Sequence, residues 1–364
     1  MNQNDIYVIY GTTPREMVKE LLNRIQPEQK LNSGARIGLK PNLVVAKPAE
    51  SGATTSPELV AGVIEYFREK GFKNLCILEG SWVGERTSRA FKVCRYEELS
   101  RQYGVPLIDL QKDGYRDVDA GGMKVAVCNR VREIDYLVNI PVLKGHCQTK
   151  LTCALKNLKG CIPDVEKRRF HSLGLHKPIA ALNQAVKQDL ILVDGMMGDL
   201  NFEEGGHPVQ MNRILAAQDP VLVDCYAAAL MGYDPAEIPY LHLAASLGVG
   251  IDDLERAVIH ELNDDQSSPE IVKIPKFKGY QNHIEEREAC SACYGSLVHA
   301  LERIREHGNL NKIKSKLHIG QYFKGKHQDG IGIGSCTMGF SECIRGCPPK
   351  ARDIVAYLEG KNTN

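Results

Sequence analysis

Short runs of β-branched and aliphatic residues recur along this chain, each separated from the next by a stretch in which apolar positions fall three or four apart. Ile6–Tyr10, Arg36–Leu39, Leu75–Leu78, Lys124–Cys128, Tyr136–Ile140 and Leu190–Val193 read as strands, and the stretches between them as amphipathic helices. That alternation predicts an α/β fold with a mostly parallel sheet flanked by helices, because parallel neighbours need a crossover and the crossover helix covers a face of the sheet. The helix punctuation agrees. Ser56-Pro57-Glu58 supplies a cap, a first-turn proline and an acid ahead of apolar Leu59, Val60, Val63, Ile64 and Phe67, and Gly71 stops the run. Further helices begin at Pro178, Pro220 and Pro239, with Gly232 and Gly248 closing the last two.

Near Asn263 the alternation ends. Asp264–Pro269 reads as a polar linker, and Ile271–Phe277 as a lone strand or extended arm. The expected division is an α/β body over 1–262 that carries the substrate site, a linker and arm over 263–284, and a small cysteine-rich module over 285–364 with a helix at about Ser296–Glu306.

With 364 residues, 43% of them hydrophobic, the chain can bury a large core, and a net charge of +1 excludes a non-specific nucleic-acid binder driven by phosphate attraction. Met1–Asp5 carries no basic, apolar leader, and nowhere do about 18 apolar residues run together. The expectation is a soluble cytoplasmic protein with neither a membrane nor a nucleic acid as partner. Twelve cysteines in such a setting are reduced thiols. Cys76, Cys94, Cys128, Cys153 and Cys225 sit in apolar runs as small buried hydrophobes.

The five cysteines of the last quarter of the chain change the picture. Cys290-Ser-Ala-Cys293 is followed by Cys336, Cys343 and Cys347, the last inside Gly346-Cys-Pro-Pro349. A Cys-x2-Cys pair with two more thiolates from a distant loop completes a four-sulfur shell, and proline after the last ligand matches the bacterial ferredoxin pattern. The expected cofactor is one 4Fe-4S cluster on Cys290, Cys293, Cys336 and Cys347, since Gly332-Ile-Gly334-Ser335 lets backbone approach sulfide beside Cys336. Cys343 is the alternative ligand. Structural zinc and disulfides are the competing readings. A thiolate cluster suits an anaerobic cell.

A second concentration of polar residues lies where α/β sheets present ligands. Lys144 and His146 follow directly on the strand Tyr136–Ile140, Lys40-Pro41-Asn42 follows an earlier strand in the same way, and Asp194 ends another. Between Lys144 and Arg169 seven basic residues face two acids, an excess that suits an anion. Lys144 and His146 are the candidate catalytic pair, His146 as general acid/base because its ordinary pKa is near neutrality. Lys40, Asn42, Lys156, His176, Asp194 and His207 are candidates for holding a small anionic substrate. Lys150, Lys159 and Lys167 read as a solvated helix face. Cys147, beside His146, is a candidate activated thiolate, but nothing in the sequence places a base against it. These side chains are expected to line an open pocket, so that substitution of Lys144 or His146 spares the fold.

Lys40-Pro-Asn-Leu-Val44, Thr54-Thr-Ser-Pro57, Pro141-Val-Leu-Lys144-x-His146, Ala154-Leu-Lys-Asn157-Leu-Lys-Gly160, Val193-Asp-Gly195 and the closing cysteines together resemble the uncharacterised iron-sulfur family known as domain of unknown function 362, over most of residues 5–260. The resemblance implies iron-sulfur chemistry without naming a substrate. The block around His146 is more weakly similar to the lactate racemase family, in which a histidine after a strand exit serves acid/base chemistry on a hydroxy acid beside a nickel cofactor; this chain shows no counterpart of the second histidine. Two functions follow as expectations. One is an iron-sulfur oxidoreductase, or a cluster-assisted lyase or isomerase, acting on a small anion; the other is a non-catalytic electron carrier or accessory protein that docks a redox partner.

Overall fold

The structure, a computed structural model, describes residues 1–200, 203–205, 208–264, 280 and 282–360. The chain divides into two compact units, Met1–Lys167 with Leu175–Ile274, and Arg168–Gly174 with Pro275–Asn364. His207 and the segment Ile271–Phe277 lie outside the described residues.

The first unit contains β1 (Asp5–Tyr10), β2 (Ile37–Pro41), β3 (Leu75–Glu79), β4 (Leu107–Asp109), β5 (Tyr115–Ala120), β6 (Met123–Cys128), β7 (Tyr136–Ile140), β8 (Lys144–His146), β9 (Lys150–Thr152), β10 (Leu190–Asp199), β11 (Pro208–Ala217) and β12 (Val258–Glu261). Eight of them form one sheet in the order β12-β1-β11-β10-β7-β2-β3-β4. It is mostly parallel, because only β11 runs antiparallel to its neighbours β1 and β10. The central strands β2, β3 and β7 are buried at every position, which is why they read as unbroken apolar runs rather than as alternating ones. The helix Pro57–Glu69 packs Leu59, Val60, Val63, Ile64 and Phe67 against Ile37, Leu39, Ile77 and Val138 in one core.

Two features depart from the sequence pattern. Lys124–Cys128 is a strand, but it belongs to a separate hairpin of β5 and β6. Gly121 and Gly122, at φ +56° and +70°, make the tight turn that local pairing needs. β11 was not foreseen, because Gln210, Asn212 and Arg213 interrupt its apolar positions. The helices at Pro220 and Pro239 begin as expected, while the one placed at Pro178 starts two residues earlier, at His176.

The second unit holds β13 (Ile284–Glu286), β14 (Leu317–Ile319), β15 (Gln328–Ile333) and β16 (Phe340–Ile344) as an all-parallel four-stranded sheet. Its main helix spans Ser291–Glu306, so it starts before Cys293 rather than after it. Cys290 is the extended residue at the helix cap and Cys293 lies in the first turn. No described helix is long and apolar enough to cross a membrane.

Candidate functional site

β3 and β4 lie on one side of β2, and β7 and β10 on the other. Chain direction across the sheet therefore reverses between β2 and β7, and in such sheets a crevice opens there at the carboxyl ends of the strands. Lys40 pairs in register with Asn139 at this edge, and Pro41 with Ile140. Beyond β7 the chain forms the small hairpin of β8 and β9, which sets Lys144 opposite Thr152 and His146 opposite Lys150.

Lys144, His146 and Lys156 meet at the carboxyl group and backbone of Glu203. The Lys144 amine donates to the Glu203 carbonyl at 2.9 Å, to Asn42 Oδ1 at 3.1 Å and to the Ala53 carbonyl. His146 Nε2 lies 3.1 Å from Glu203 Oε2, and Lys156 pairs with Oε1 while also donating to Thr152 Oγ1 at 3.2 Å. Asn42 is fixed by Asn157 at 3.0 Å, and Asn157 in turn donates to Asn139 Oδ1 at 2.7 Å and to the Lys40 carbonyl at 3.2 Å. The short helix Ala154–Asn157, which carries Lys156 and Asn157, is held by buried Asp224, whose carboxylate accepts the Ala154 and Leu155 amides at 2.7 and 3.1 Å.

Electrostatics at this point follow from burial. Lys144 is fully buried, and desolvation pulls its amine down to about 7, with Glu203 opposing the shift and Lys156 adding to it. His146 is pushed down to about 4 by burial and then by Lys156. At neutral pH its ring is uncharged. Its Nδ1 accepts the amides of Gln148 at 3.2 Å and Thr149 at 3.0 Å, so the single ring proton sits on Nε2, facing Glu203. His146 is therefore a fixed hydrogen-bond donor, while Lys144 titrates near neutrality. Burial opposes ionisation of Glu203, yet Lys156, His146 and Lys144 hold its carboxyl well below the ordinary value. Burial and the Glu203 charge raise neighbouring Glu204 to about 7.

Other candidates separate from this group. Lys40 is completely buried and gives its ammonium to Glu79 at 2.9 Å and to the Pro41 carbonyl at 2.7 Å. Glu79 also accepts the Leu43 and Gly80 amides at 2.8 and 2.7 Å. Gly160 closes over this pair so tightly that a Cβ there would stand 2.1 Å from Glu79 Oε1 and 2.6 Å from Lys40 Nζ, which explains the glycine ending the Asn157–Gly160 run. Asp194 accepts the Ser56 and Met196 amides at 2.8 and 3.0 Å, and burial raises it to about 6 against those bonds. It borders a cleft of about 190 Å³ with Thr12, Ser56, Met196, Gln210 and Asn212. His176 stacks on Tyr240 with ring centroids 5.9 Å apart. Lys167 is buried rather than solvated, donating to the Ser81 carbonyl at 2.7 Å and to Asp164 at 3.0 Å. The Cys147 thiol is pushed up by burial and by Glu203, the reverse of activation.

The expectation of an open pocket is corrected by this geometry. Lys144 and His146 are covered, and removing either leaves buried acceptors unmatched, so both carry stability. Glu203, Glu79, Asn157 and Asp224 were not singled out from the sequence. Asn157 stood inside a motif already noted, whereas Glu203 had no signal beyond a polar turn between two strands.

In the second unit three chain segments carry the cysteines toward one glycine. Gly334, at φ +91°, has room for a Cβ only 3.8 Å from Cys293 Sγ and 3.5 Å from the Gly346 carbonyl. The Gly334 amide donates to the Ile344 carbonyl and the Ser335 amide to the Gly346 carbonyl, both at 2.8 Å, which brings the turn holding Cys336 beside the one holding Cys347. Burial, and then Cys347, raises the Cys336 thiol. Gln321 Nε2 lies 3.5 Å from Cys290 Sγ. Cys343 lies against the Gly334 carbonyl and the Thr337 hydroxyl, each at 3.6 Å. This set of soft donors around a side-chain-free backbone fits an iron-sulfur group in chemistry. Among the described residues no three His, Cys, Asp or Glu side chains converge where a single metal ion would sit.

Three comparisons place the chain among known proteins. A thylakoid-associated protein of Synechocystis sp. is 26% identical over 230 residues, covering 59% of this chain and 69% of that relative. Among solved structures, a Thermotoga maritima protein is 14% identical at a TM-score of 0.39, over 65% of this chain and 60% of that one. The lactate racemase apoprotein of Thermoanaerobacterium thermosaccharolyticum is 14% identical at a TM-score of 0.34, over 51% of this chain and 50% of that one. The chain thus spans less than two thirds of either solved structure. The family model matches residues 37–229, which include every body motif noted above from Lys40 to Gly195, and the chain belongs to the family described as domain of unknown function 362.

Proposed function

We propose that the protein is an enzyme that binds a small anionic substrate at the β2/β7 crevice and moves a proton there with Lys144. The single observation behind this reading is that Lys144, His146 and Lys156 all converge on Glu203, two of them on its two carboxylate oxygens and the third on its carbonyl. Gathering cationic groups in a buried site costs energy through mutual repulsion, and an anion relieves it. Lys144, with a pKa of about 7, is matched to proton transfer near neutral pH. Lys156 and the Nε2 proton of His146 are set to meet negative charge that grows on the substrate as Lys144 takes a proton from the neighbouring carbon.

In this reading Cys290, Cys293, Cys336 and Cys347 hold one 4Fe-4S cluster, which when bound supplies one-electron transfer with a redox protein partner. Oxidoreductase, lyase and isomerase chemistry all share the proton step. Residence in the cytoplasm belongs to the same proposal.

Solvent exchange tests the reading. Anaerobically isolated protein incubated in D2O with a panel of small 2-hydroxy and 2-oxo carboxylates is expected to place deuterium at C2 of at least one 2-hydroxy acid or at C3 of at least one 2-oxo acid, faster than in buffer alone, as read by proton NMR. Lys144→Met, checked for native fold by circular dichroism, should lose the exchange. Binding of these acids without exchange of any of them would leave the electron carrier or accessory protein as the better reading.

A further inference from the structure

Glu203 is a side chain placed where a ligand belongs. Its two carboxylate oxygens are met separately, Oε2 by His146 Nε2 at 3.1 Å and Oε1 by the Lys156 ammonium, while Lys144 holds its backbone carbonyl at 2.9 Å. Those donors are fixed from behind. The Nδ1 acceptor bonds orient the His146 ring, Thr152 braces Lys156, and Asn42 with the Ala53 carbonyl braces Lys144. The carboxylate, by contrast, arrives on the connection between β10 and β11 and keeps 16% of its side-chain surface exposed, against 0% for His146 and 2% for Lys156. A rigid, buried set of donors facing a more exposed acceptor from a hairpin connection is the arrangement expected when the acceptor is exchangeable and the donors are not.

From this geometry we infer that the ligand of the site is a carboxylate, and that Glu203 occupies its position as an internal competitor that the ligand displaces. This rests on the reading of the crevice as an anion site and adds the ligand class. Two oxygens, each with its own donor, match a planar carboxylate. Displacement exchanges one carboxylate for another, so the charge of the site is unchanged and no proton needs to be taken up or lost at Lys156 or His146. The competitor lowers the apparent affinity by the fraction of time it fills the site.

Rescue by acetate tests the inference. Glu203→Ala should melt at a lower temperature than the wild type, and acetate should restore several degrees in a saturable way that an equal concentration of chloride does not reproduce. Glu203→Gln, which keeps the volume and removes the charge, covers the case in which the alanine variant fails to fold. Line broadening of carbon-13 acetate should report binding to it about tenfold tighter than to the wild type. Acetate acting no differently from chloride on the folded variants, or binding Glu203→Gln no better than the wild type, overturns the inference. Acetate rescue without solvent exchange in the wild type keeps the carboxylate site and removes the enzyme reading. Exchange without rescue keeps the enzyme and removes the displacement of Glu203.

Discussion

Lys40→Met should destabilise the first unit by roughly 3–5 kcal/mol, the cost of leaving one member of a buried ion pair without its partner. Glu79 is 3% exposed at its side chain and its only cationic partner at hydrogen-bond distance among the described residues is Lys40 at 2.9 Å, so its charge would have no access to water. Urea titration followed by circular dichroism reads the effect as a lowered midpoint with an unchanged slope. Lys40→Met combined with Glu79→Gln should recover a large part of the loss, because the glutamine oxygen still accepts an amide and no buried charge remains. A midpoint equal to that of the wild type in the single variant would mean that the pair is hydrated in solution.

The second large effect concerns the cysteines. Replacing Cys290, Cys293, Cys336 or Cys347 by alanine should abolish the broad visible absorption of anaerobically isolated protein and its acid-labile sulfide, since a cluster with three thiolates is exposed to loss. Cys343→Ala should spare both, because that thiol already rests on the Gly334 carbonyl and the Thr337 hydroxyl. Zinc without sulfide in the wild type would end the cluster proposal. Loss of the colour in Cys343→Ala together with its retention on replacing one of the other four would make Cys343 a ligand in that residue's place.

How much of this was legible in the sequence differs by element. The parallel strands β1, β2, β3, β7 and β10 announced themselves because burial on both faces forces unbroken apolar runs, a pattern that Gln210, Asn212 and Arg213 interrupt in β11. The strand exits were legible too, since Lys144 and His146 follow a clear strand by only a few residues. What a list of residues could not give was the pairing. Lys40 and Lys144 look alike in sequence, each just past a strand, yet one is neutralised by Glu79 from the adjacent strand β3 and the other faces the Glu203 connection. The partner acids lie 39 and 59 positions away, beyond any local pattern. The tautomer of His146 is hidden for a related reason: it is set by two backbone amides in the turn to β9, and a turn leaves no mark on composition.

The helix beside the cysteines shows the opposite case. The sequence pattern placed this helix at about Ser296–Glu306, but Tyr294 closes a turn back to the Cys290 carbonyl at 2.9 Å and the helix begins before the second cysteine. Cys290 and Cys293 thus share one helical turn, an arrangement that lets two sulfurs face the same group.

Proton uptake on anion binding tests the central claim, that Lys144 couples its proton to an anion held with His146 and Lys156. With the Glu203 carboxylate in place burial lowers the Lys144 amine from 10.5 to about 7, so it is mostly neutral at pH 8 and mostly charged at pH 6, and without that charge, as in Glu203→Ala, its pKa lies lower still. An added negative charge favours the ammonium and raises that pKa. Calorimetric titration of the Glu203→Ala protein with acetate, in buffers of differing ionisation enthalpy, therefore should show proton uptake at pH 6, where acetate returns the Lys144 pKa above the working pH, and almost none at pH 8, where the amine stays mostly neutral, with the uptake absent once Lys144→Met is added. Acetate binding at pH 6 with no proton uptake, and with the same affinity after Lys144→Met, would contradict the account.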